Sequence, residues 1–235
     1  MDFTIDQISQ QWYNLHNSTD LSVKKEADIF LRNFKKSPNC IDVCLQLFST
    51  ANQSNKIFAC LILYQSIKEN ANILLTSKEK FNHIKNMIFT QIIPALDSCP
   101  PIVIERVCFS ISILIVIGTV TYWQEGIEDI MQFASASTTN CYYSVIILSN
   151  FANELQDLAL SQKMNYMIKD VLMDKNTEIF KFINFILTNA NNVNDKAMFN
   201  KLYIKAIELA KNWITFEMNV LSNPQLIKIL THQLC

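Results

Sequence analysis

Residues 27–67, ADIFLRNFKKSPNCIDVCLQLFSTANQSNKIFACLILYQSI, contain the pattern that decides the fold. At the start of this stretch, apolar side chains recur at intervals of three and four residues, the spacing of one face of an α-helix. They are Ala27, Phe30, Leu31 and Phe34. Ser37-Pro38 follows, and the residue before a proline is pushed out of the α-helical region. The sequence therefore predicts an amphipathic helix that stops near residue 36.

The rest of the stretch predicts two further helices. The same spacing returns at Ile41, Cys44, Leu45 and Phe48, and after a polar turn at Ile57, Leu61, Tyr64 and Ile67. Phe58 and Ile62 lie off the last stripe, so this helix has apolar contacts on more than one side. Such a helix needs neighbours before and after it, which is typical of a stack of helical repeats.

The stripes continue along the chain, with helices predicted over about 21–36, 39–49 and 54–70. Helical pairs begin about every 35 to 45 residues, close to the ~40–47 residues of HEAT repeats. We predict an all-α fold, a right-handed superhelical stack of HEAT-like antiparallel helix pairs. Residues 1–235 are expected to form a single solenoid segment of about five pairs and a terminal helix.

Several helix ends are also predicted. Thr76, with Glu79 three residues later, has the pattern of a capping box. Pro94 is expected to end one helix, and Cys99-Pro100-Pro101 to begin the next. Asp174-Lys175-Asn176-Thr177 is expected to interrupt or bend the helix that starts near Met164. Pro224 is expected to open the last helix.

Composition supports this fold class and excludes others. The chain has only two glycines, fewer than the turns of a β-sandwich or a doubly wound sheet require. Its formal charge is −1 with both signs interspersed, so we expect no direct nucleic-acid binding. The cysteines number seven and mostly lie in apolar helical patterns, which favours reduced, buried thiols in a cytosolic or nuclear protein.

The amino terminus and one apolar run bear on membranes. Residues 1–12 have neither the basic nor the apolar region of a signal peptide. Val107 to Trp123 is uncharged but short for a spanning helix, which needs about 20 apolar residues, and serines and threonines dilute it. We therefore expect no membrane span and predict a helix buried on all sides.

Little in the sequence indicates chemistry. His16, His83 and His232 lie far apart, and Cys40-x-x-x-Cys44 has no second pair at zinc spacing. Two core cysteines are the favoured interpretation, although a Cys/His pair formed in space stays open. Glycine-rich phosphate loops and hydrolase or protease motifs are missing from the sequence. We predict no catalytic residue, metal site or cofactor, and therefore not an enzyme.

The tryptophans and several methionines are expected to pack between repeats rather than to form exposed binding anchors. They are Trp12, Trp123, Trp213, Met164, Met167 and Met173.

The same apolar pattern carries a resemblance to a family. Ala27…Leu31…Phe34…Ser37-Pro38, then Leu45 and Leu47-Phe48, then Phe58-Ala59…Leu63-Tyr64…Ile67 resemble the amino-terminal repeats of the importin-beta superfamily of nuclear transport receptors. Two later segments resemble the transportin-SR branch. They are Tyr122-Trp123 before residues 127–131, and Asn212-Trp213-Ile214-Thr215-Phe216 running into Val220-Leu221. Where the family often has tryptophan after Ser-Pro-x-small, a pattern that Ser37-Pro38-Asn39-Cys40 fits, this chain has Ile41.

The resemblance implies a function and partners. Amino-terminal repeats of such receptors grip the GTPase Ran in its GTP form, and Ran binding in the nucleus releases imported cargo. The chain is accordingly expected to bind Ran-GTP and protein cargo, and nucleoporins are further candidate partners, in the cytoplasm and nucleus. The resemblance points to polar positions on the second helices of the first two pairs. These are Lys24, Asp28, Arg32, Lys35, Lys56, Gln65 and Lys68.

A second hypothesis comes from the carboxyl end. An apolar face there has no following helix to cover it, whereas a solenoid needs a polar cap. Its residues are Leu226, Ile227, Ile229, Leu230 and Leu234. The chain is therefore expected to be the opening section of a longer protein or to be covered by a partner. The alternative function is a HEAT-like scaffold subunit of a larger assembly that does not bind Ran.

Overall fold

The computed structural model describes residues 3–50, 52–189 and 195–215. Within those residues the fold is an all-α, HEAT-like helical stack with eleven α-helices and no strand, which confirms the predicted fold class. The helices are α1 (Ile5–Asn17), α2 (Leu21–Lys35), α3 (Cys40–Phe48), α4 (Gln53–Glu69), α5 (Ala71–Thr76), α6 (Lys78–Met87), α7 (Pro101–Gly118), α8 (Gly126–Ala134), α9 (Thr138–Asp157), α10 (Gln162–Asn189) and α11 (Lys196–Thr215).

The chain forms two compact units, Met1–Ser110 and Ile111–Cys235, with the boundary inside α7. In the first unit, α1 packs on α2 and α3 packs on α4. In the second unit, α8 packs on α9, and α11 packs on both α9 and α10. Consecutive helices joined by short loops are the pairs that the repeat pattern predicts. One continuous solenoid over residues 1–235 stays a prediction.

Polar side chains fix the starts of the first helices. Thr4 and Gln7 form a reciprocal capping box at α1, and Asp20 and Asn52 accept backbone N–H bonds at the starts of α2 and α4. The capping box expected at Thr76 is wrong, because Thr76 is the last residue of α5 and its hydroxyl bonds back to carbonyls of that helix. The cap of α6 is instead the next residue, Ser77, whose Oγ accepts the N–H of Lys80.

Pro94 and Pro101 lie at helix boundaries, as expected. After α6 the chain continues through one π-helical turn, Ile88–Ile92, and a 3₁₀ segment, Ile93–Ser98, with Pro94 in the first turn of the latter. Pro101 then begins α7. Proline is tolerated in the first turn of a helix because its missing N–H has no intrahelical partner there.

Helix α7 contains most of the apolar run that was considered as a membrane-spanning helix in the sequence analysis. By length and composition Pro101–Gly118 is able to cross a membrane, and 67% of it is buried inside the fold. Residues from Val107 to Ile117 are almost all fully enclosed, apart from the half-buried Phe109. The predicted burial is therefore confirmed for residues 107–117, but the helix ends at Gly118 instead of continuing to Trp123. A core helix passes the same apolarity test.

The interruption expected at Asp174–Thr177 is wrong, because α10 continues from Gln162 to Asn189. This segment contains no glycine or proline, and tertiary contacts outweigh its weak helix propensity. Lys175 forms an ion pair with Glu128 of α8, which anchors the segment to its neighbour.

Helix α9 receives side-chain hydrogen bonds from two neighbours. Ser112 of α7 donates to the carbonyl of Ile147 at 2.7 Å. From α11, Asn212 donates to the carbonyl of Ser149 at 2.8 Å, and Trp213 is bonded to the same stretch of α9. These bonds fix α9 at the centre of the second unit.

Burial of Trp123 and Trp213 confirms the expected core role, whereas Trp12 is half-buried and bonds Ser54 through Nε1. The methionines differ from the expectation, because Met167 and Met173 are exposed on α10 and Met164 is half-buried. Some predicted features lie outside the described residues: the helix from Pro224, the apolar carboxyl-terminal face and His232.

Candidate protein-binding site

The carboxyl halves of α2 and α4 carry a set of charged side chains that we call the α2–α4 polar cluster. Its members are Asp28, Arg32, Lys35, Lys68 and Glu69. Arg32 binds Asp28 through two contacts, Nη2 to Oδ2 at 2.8 Å and Nε to Oδ1 at 3.1 Å. Lys35, the last residue of α2, pairs with Glu69, the last residue of α4, at 2.8 Å. The second pair joins the ends of two helices that lie far apart in sequence.

The cluster continues along α4 towards α7. The Lys68 ammonium lies 3.4 Å from the Tyr64 hydroxyl and 5.6 Å from the centre of its ring. The Arg106 guanidinium of α7 lies over the same ring at 5.4 Å and over Phe109 at 5.7 Å. Gln65 is exposed beside them on α4. Cations held over aromatic faces form contacts that proteins use for recognition.

Of the predicted site residues, Lys56 differs from the others because it is buried. Lys24 is half-buried in the first part of α2, whereas Lys56 is only 8% exposed. The Lys56 ammonium lies 5.6 Å from the centre of the Phe48 ring and 4.0 Å from the Cys99 sulfur. In this conformation Lys56 packs inside the first unit and offers little surface to a partner.

The ion pairs of the cluster contribute little to folding. Arg32 is 74% exposed, and exposed pairs contribute about 0–1 kcal/mol because water screens them. Such pairs exchange partners at low cost when another charged surface arrives. The cluster therefore suits protein recognition better than it suits stabilisation of the helices.

A cavity of about 680 Å³ lies beside the cluster, between the carboxyl ends of α2 and α4 and the starts of α3 and α6. Lys35 and Glu69 lie on one side of it. On another side, His83 Nε2 lies 2.9 Å from Oδ1 of Asp42. Ile41, Ile73, Leu74 and Ile84 supply apolar lining.

Cys40, which is only 3% exposed, is also among the lining residues of this cavity, and Cys44 lies one turn further along α3. Cys40 Sγ lies 3.4 Å from the hydroxyl of Ser66. A hydrogen bond from Cys44, then that of Ser66 and the charge of Lys35, hold the pKa of Cys40 below its ordinary value, despite burial. Burial raises the pKa of Cys44 well above its ordinary value, and the hydrogen bond between Cys44 and Cys40 acts in the same direction.

The predicted burial of both thiols in the core is confirmed, but the sequence did not indicate that one of them borders a cavity. Among the described residues no group of three or more histidine, cysteine and acidic side chains is placed to hold a metal ion. The sequence also missed Glu69 and Arg106. No spacing rule relates Glu69 to Lys35 or Arg106 to the ring of Tyr64. The lysines and aromatic residues that share α4 were a usable signal for cation–aromatic contacts.

Comparison with protein families gives two matches in different parts of the chain. The family model described as exportin 1-like protein matches residues 100–234, more than half of the 235 residues. The model described as importin-beta N-terminal domain matches residues 27–93, which contain the α2–α4 polar cluster. No curated protein matches the chain.

Proposed function

The chain belongs to the exportin 1-like family of the importin-beta superfamily, and we propose that it is a segment of a nuclear transport receptor that binds Ran in its GTP form. The observation that carries the proposal is the position of the α2–α4 polar cluster inside the region matched by the importin-beta N-terminal domain. Protein cargo and nucleoporins are the further partners, and the receptor moves between cytoplasm and nucleus.

The Ran surface that we propose consists of Lys24 and the cluster, together with Gln65 on α4. Its charges are of both signs, and a partner of mixed charge is able to replace the internal pairs Asp28–Arg32 and Lys35–Glu69 with intermolecular ones. Lys56 stays in the surface only if binding exposes it. The assignment to the transportin-SR branch rests on the sequence pattern around Trp123 and Trp213.

The direction of transport depends on the sign of one coupling free energy. If each ligand favours a different conformation of one flexible helical stack, Ran-GTP and cargo exclude each other, and the receptor imports. The match to the exportin 1-like model favours a second candidate, in which the two ligands bind together and the receptor exports. Because coupling is reciprocal, measuring cargo affinity with and without Ran-GTP distinguishes the two.

The test of Ran binding is a titration of the folded chain with Ran locked in each nucleotide state. We expect preference for the GTP form and weaker binding at higher salt, since the screening length is about 8 Å at physiological ionic strength. The triple variant Lys24→Glu, Arg32→Glu and Lys68→Glu should lose more than tenfold in affinity, about 1.4 kcal/mol, with helicity unchanged.

A matched control changes the same amount of charge elsewhere. The variant Lys163→Glu, Lys181→Glu and Lys201→Glu alters three exposed lysines of the second unit and should keep the affinity within about twofold. Equal binding to both nucleotide states, or none at micromolar concentrations, rejects the receptor proposal. The scaffold hypothesis then remains.

A further inference from the structure

The two arginines of the chain differ in their partners. Arg32 of α2 binds the carboxylate of Asp28 through two contacts, at 2.8 Å and 3.1 Å. Arg106 of α7 forms no side-chain hydrogen bond or ion pair with any residue that the structure describes, and its Nε is buried without a partner. One guanidinium is therefore satisfied by a carboxylate within the described fold, and the other is not.

Two aromatic rings hold the Arg106 guanidinium in place. Its carbon lies 5.4 Å from the centre of the Tyr64 ring and 5.7 Å from that of Phe109. The centres of the two rings lie 6.3 Å apart, and their planes are inclined by 59°. Aromatic faces attract the cation but offer no lone pairs to its N–H donors, so the guanidinium is positioned without being hydrogen-bonded.

The fold supplies no anion to Arg106 from its nearest titratable neighbour. Arg106 is half-buried, and charges in such positions are normally paired with an opposite charge. Cys60 lies close enough to feel the guanidinium, but burial raises the pKa of its thiol to about 12 although Arg106 opposes this shift. The thiol therefore stays protonated at neutral pH and does not act as a counter-ion.

A second cation lies at the same ring. The Lys68 ammonium is 3.4 Å from the Tyr64 hydroxyl and 5.6 Å from the centre of the ring. Lys68 comes from α4 and Arg106 from α7, so two helices bring positive charges to one aromatic side chain. Like charges at close range repel each other, and an anion near both is attracted by both.

We propose that Arg106, with Lys68 beside it, is a carboxylate-binding site that takes an aspartate or glutamate side chain of a partner protein. The identity of the partner rests on the proposed function, since Lys68 belongs to the proposed Ran surface, whereas the chemistry of the site rests on the contacts of Arg106. Only Nε is enclosed, so a carboxylate that approaches end-on reaches the two Nη groups. Their parallel N–H bonds match the two oxygens of a carboxylate.

The contrast with Arg32 predicts which arginine contributes more to binding. At Arg32 an incoming carboxylate must displace Asp28, so one ion pair is lost for each one gained. At Arg106 it displaces no acidic side chain of the described residues, and the aromatic rings already hold the guanidinium. Positioned, partly desolvated arginines are frequent hot spots of protein interfaces. Arg106 is therefore expected to be the more important of the two.

The experiment follows the Nε–Hε signals of both arginines by NMR in the full chain. The probe is capped diglutamate at about pH 6, where its side chains are ionised because their ordinary pKa is about 4.3. Capped diglutamine is the uncharged control. We expect diglutamate to shift the Arg106 signal saturably and at least threefold more than the Arg32 signal, and diglutamine to shift neither. A larger shift at Arg32, or no saturable shift at Arg106, overturns the proposal.

Variants separate the shape of the guanidinium from its charge. Arg106→Lys keeps the charge without the parallel donors and should weaken diglutamate binding at least threefold, followed by the amide signals of Tyr64 and Lys68. Arg106→Gln should abolish saturable binding. Lys181→Gln, at an exposed position of α10, is the matched control and should keep the affinity within about twofold. Unchanged binding in a folded Arg106→Gln variant contradicts the proposal.

Inorganic phosphate tests the kind of anion. A carboxylate site should bind diglutamate at least as tightly as phosphate at the same pH and ionic strength. Tighter binding of phosphate at Arg106 identifies a phosphate site instead and overturns the assignment to an acidic side chain.

Titration with Ran-GTP keeps this inference distinguishable from the proposed function. Arg106→Gln should lower the affinity for Ran-GTP at least tenfold, and by more than Arg32→Gln does. If the parent does not bind Ran-GTP while diglutamate still shifts the Arg106 signal, the Ran proposal fails and the carboxylate site stands. If Ran-GTP binds the parent and Arg106→Gln equally well, the receptor proposal stands and Arg106 is not part of its surface, which overturns this inference.

Discussion

Trp213 of α11 donates its indole N–H to the carbonyl oxygen of Leu148 in α9 at 2.9 Å. The ring is 1% exposed, and its centre lies 6.1 Å from that of Phe151. One side chain thus supplies both a buried hydrogen bond and a large apolar contact between two helices that are not consecutive in the chain. This relationship makes the stability of the second unit depend on α11.

The first prediction concerns that side chain. Trp213→Phe removes the hydrogen bond and some volume but keeps an aromatic ring, so we expect a loss of about 2 kcal/mol in the free energy of unfolding. Trp12→Phe is the matched control, because Trp12 is half-buried and should cost less than half as much. Urea unfolding followed by circular dichroism measures both. Equal losses in the two variants contradict the role assigned to Trp213.

The second prediction concerns the ion pair between Lys175 and Glu128, which joins α10 to α8. Glu128 raises the pKa of Lys175, so the charged ammonium is favoured in the fold. Lys175→Met should cost about 1 kcal/mol because it leaves a half-buried carboxylate without its cation. The exposed Lys181→Met on the same helix should cost less than about 0.5 kcal/mol. Thermal unfolding of both variants tests this, and equal shifts are evidence against an anchoring pair.

The third prediction is a loss of stability in alkali. Burial raises the pKa of Cys60 from 9.0 to about 12, so above pH 9 the thiol ionises in the unfolded chain while it keeps its proton in the fold. The unfolded state then binds fewer protons, and the free energy of unfolding falls by up to about 1.4 kcal/mol per pH unit for this thiol. The effect is absent below pH 9 and complete near pH 12.

The measurement compares unfolding of the parent and of Cys60→Ala between pH 8 and 11. The substitution lowers stability at pH 8 because it leaves a small cavity, but its stability should then fall less steeply with pH. Parallel curves for the two proteins show that Cys60 does not titrate as its burial requires.

Much of the first unit could be predicted because its signals are local. The third helix was expected at about 39–49 and is Cys40–Phe48, since a proline and an apolar stripe mark both its ends. The cap of α6 could not be placed, because Thr76 and Ser77 are equally good capping residues and only the short helix α5 excludes the first.

The candidate site was less accessible to sequence reasoning. Periodicity placed Lys56 on a polar helix face, but Phe48 and Cys99 cover it through tertiary packing that no spacing rule describes. The Asp42–His83 contact joins residues 41 apart in the chain, so it exists only after α3 and α6 pack. The resemblance pointed to residues 27–67, which lie within the match to the importin-beta N-terminal domain, and the structure supplies the partners of Arg32, Lys35 and Lys68.

Glu69 lies where a helix by itself disfavours an acidic residue. It ends α4, and the carbonyl end of a helix is negative, so an acidic side chain there costs a few tenths of a kcal/mol or more. A design procedure that optimises each helix separately selects lysine at this position. Glu69→Lys would then place a second ammonium beside that of Lys35. The substitution would stabilise α4 by itself but would cause repulsion between α2 and α4. Engineering this chain for heat resistance therefore requires choosing residues 35 and 69 together, as a single two-position library.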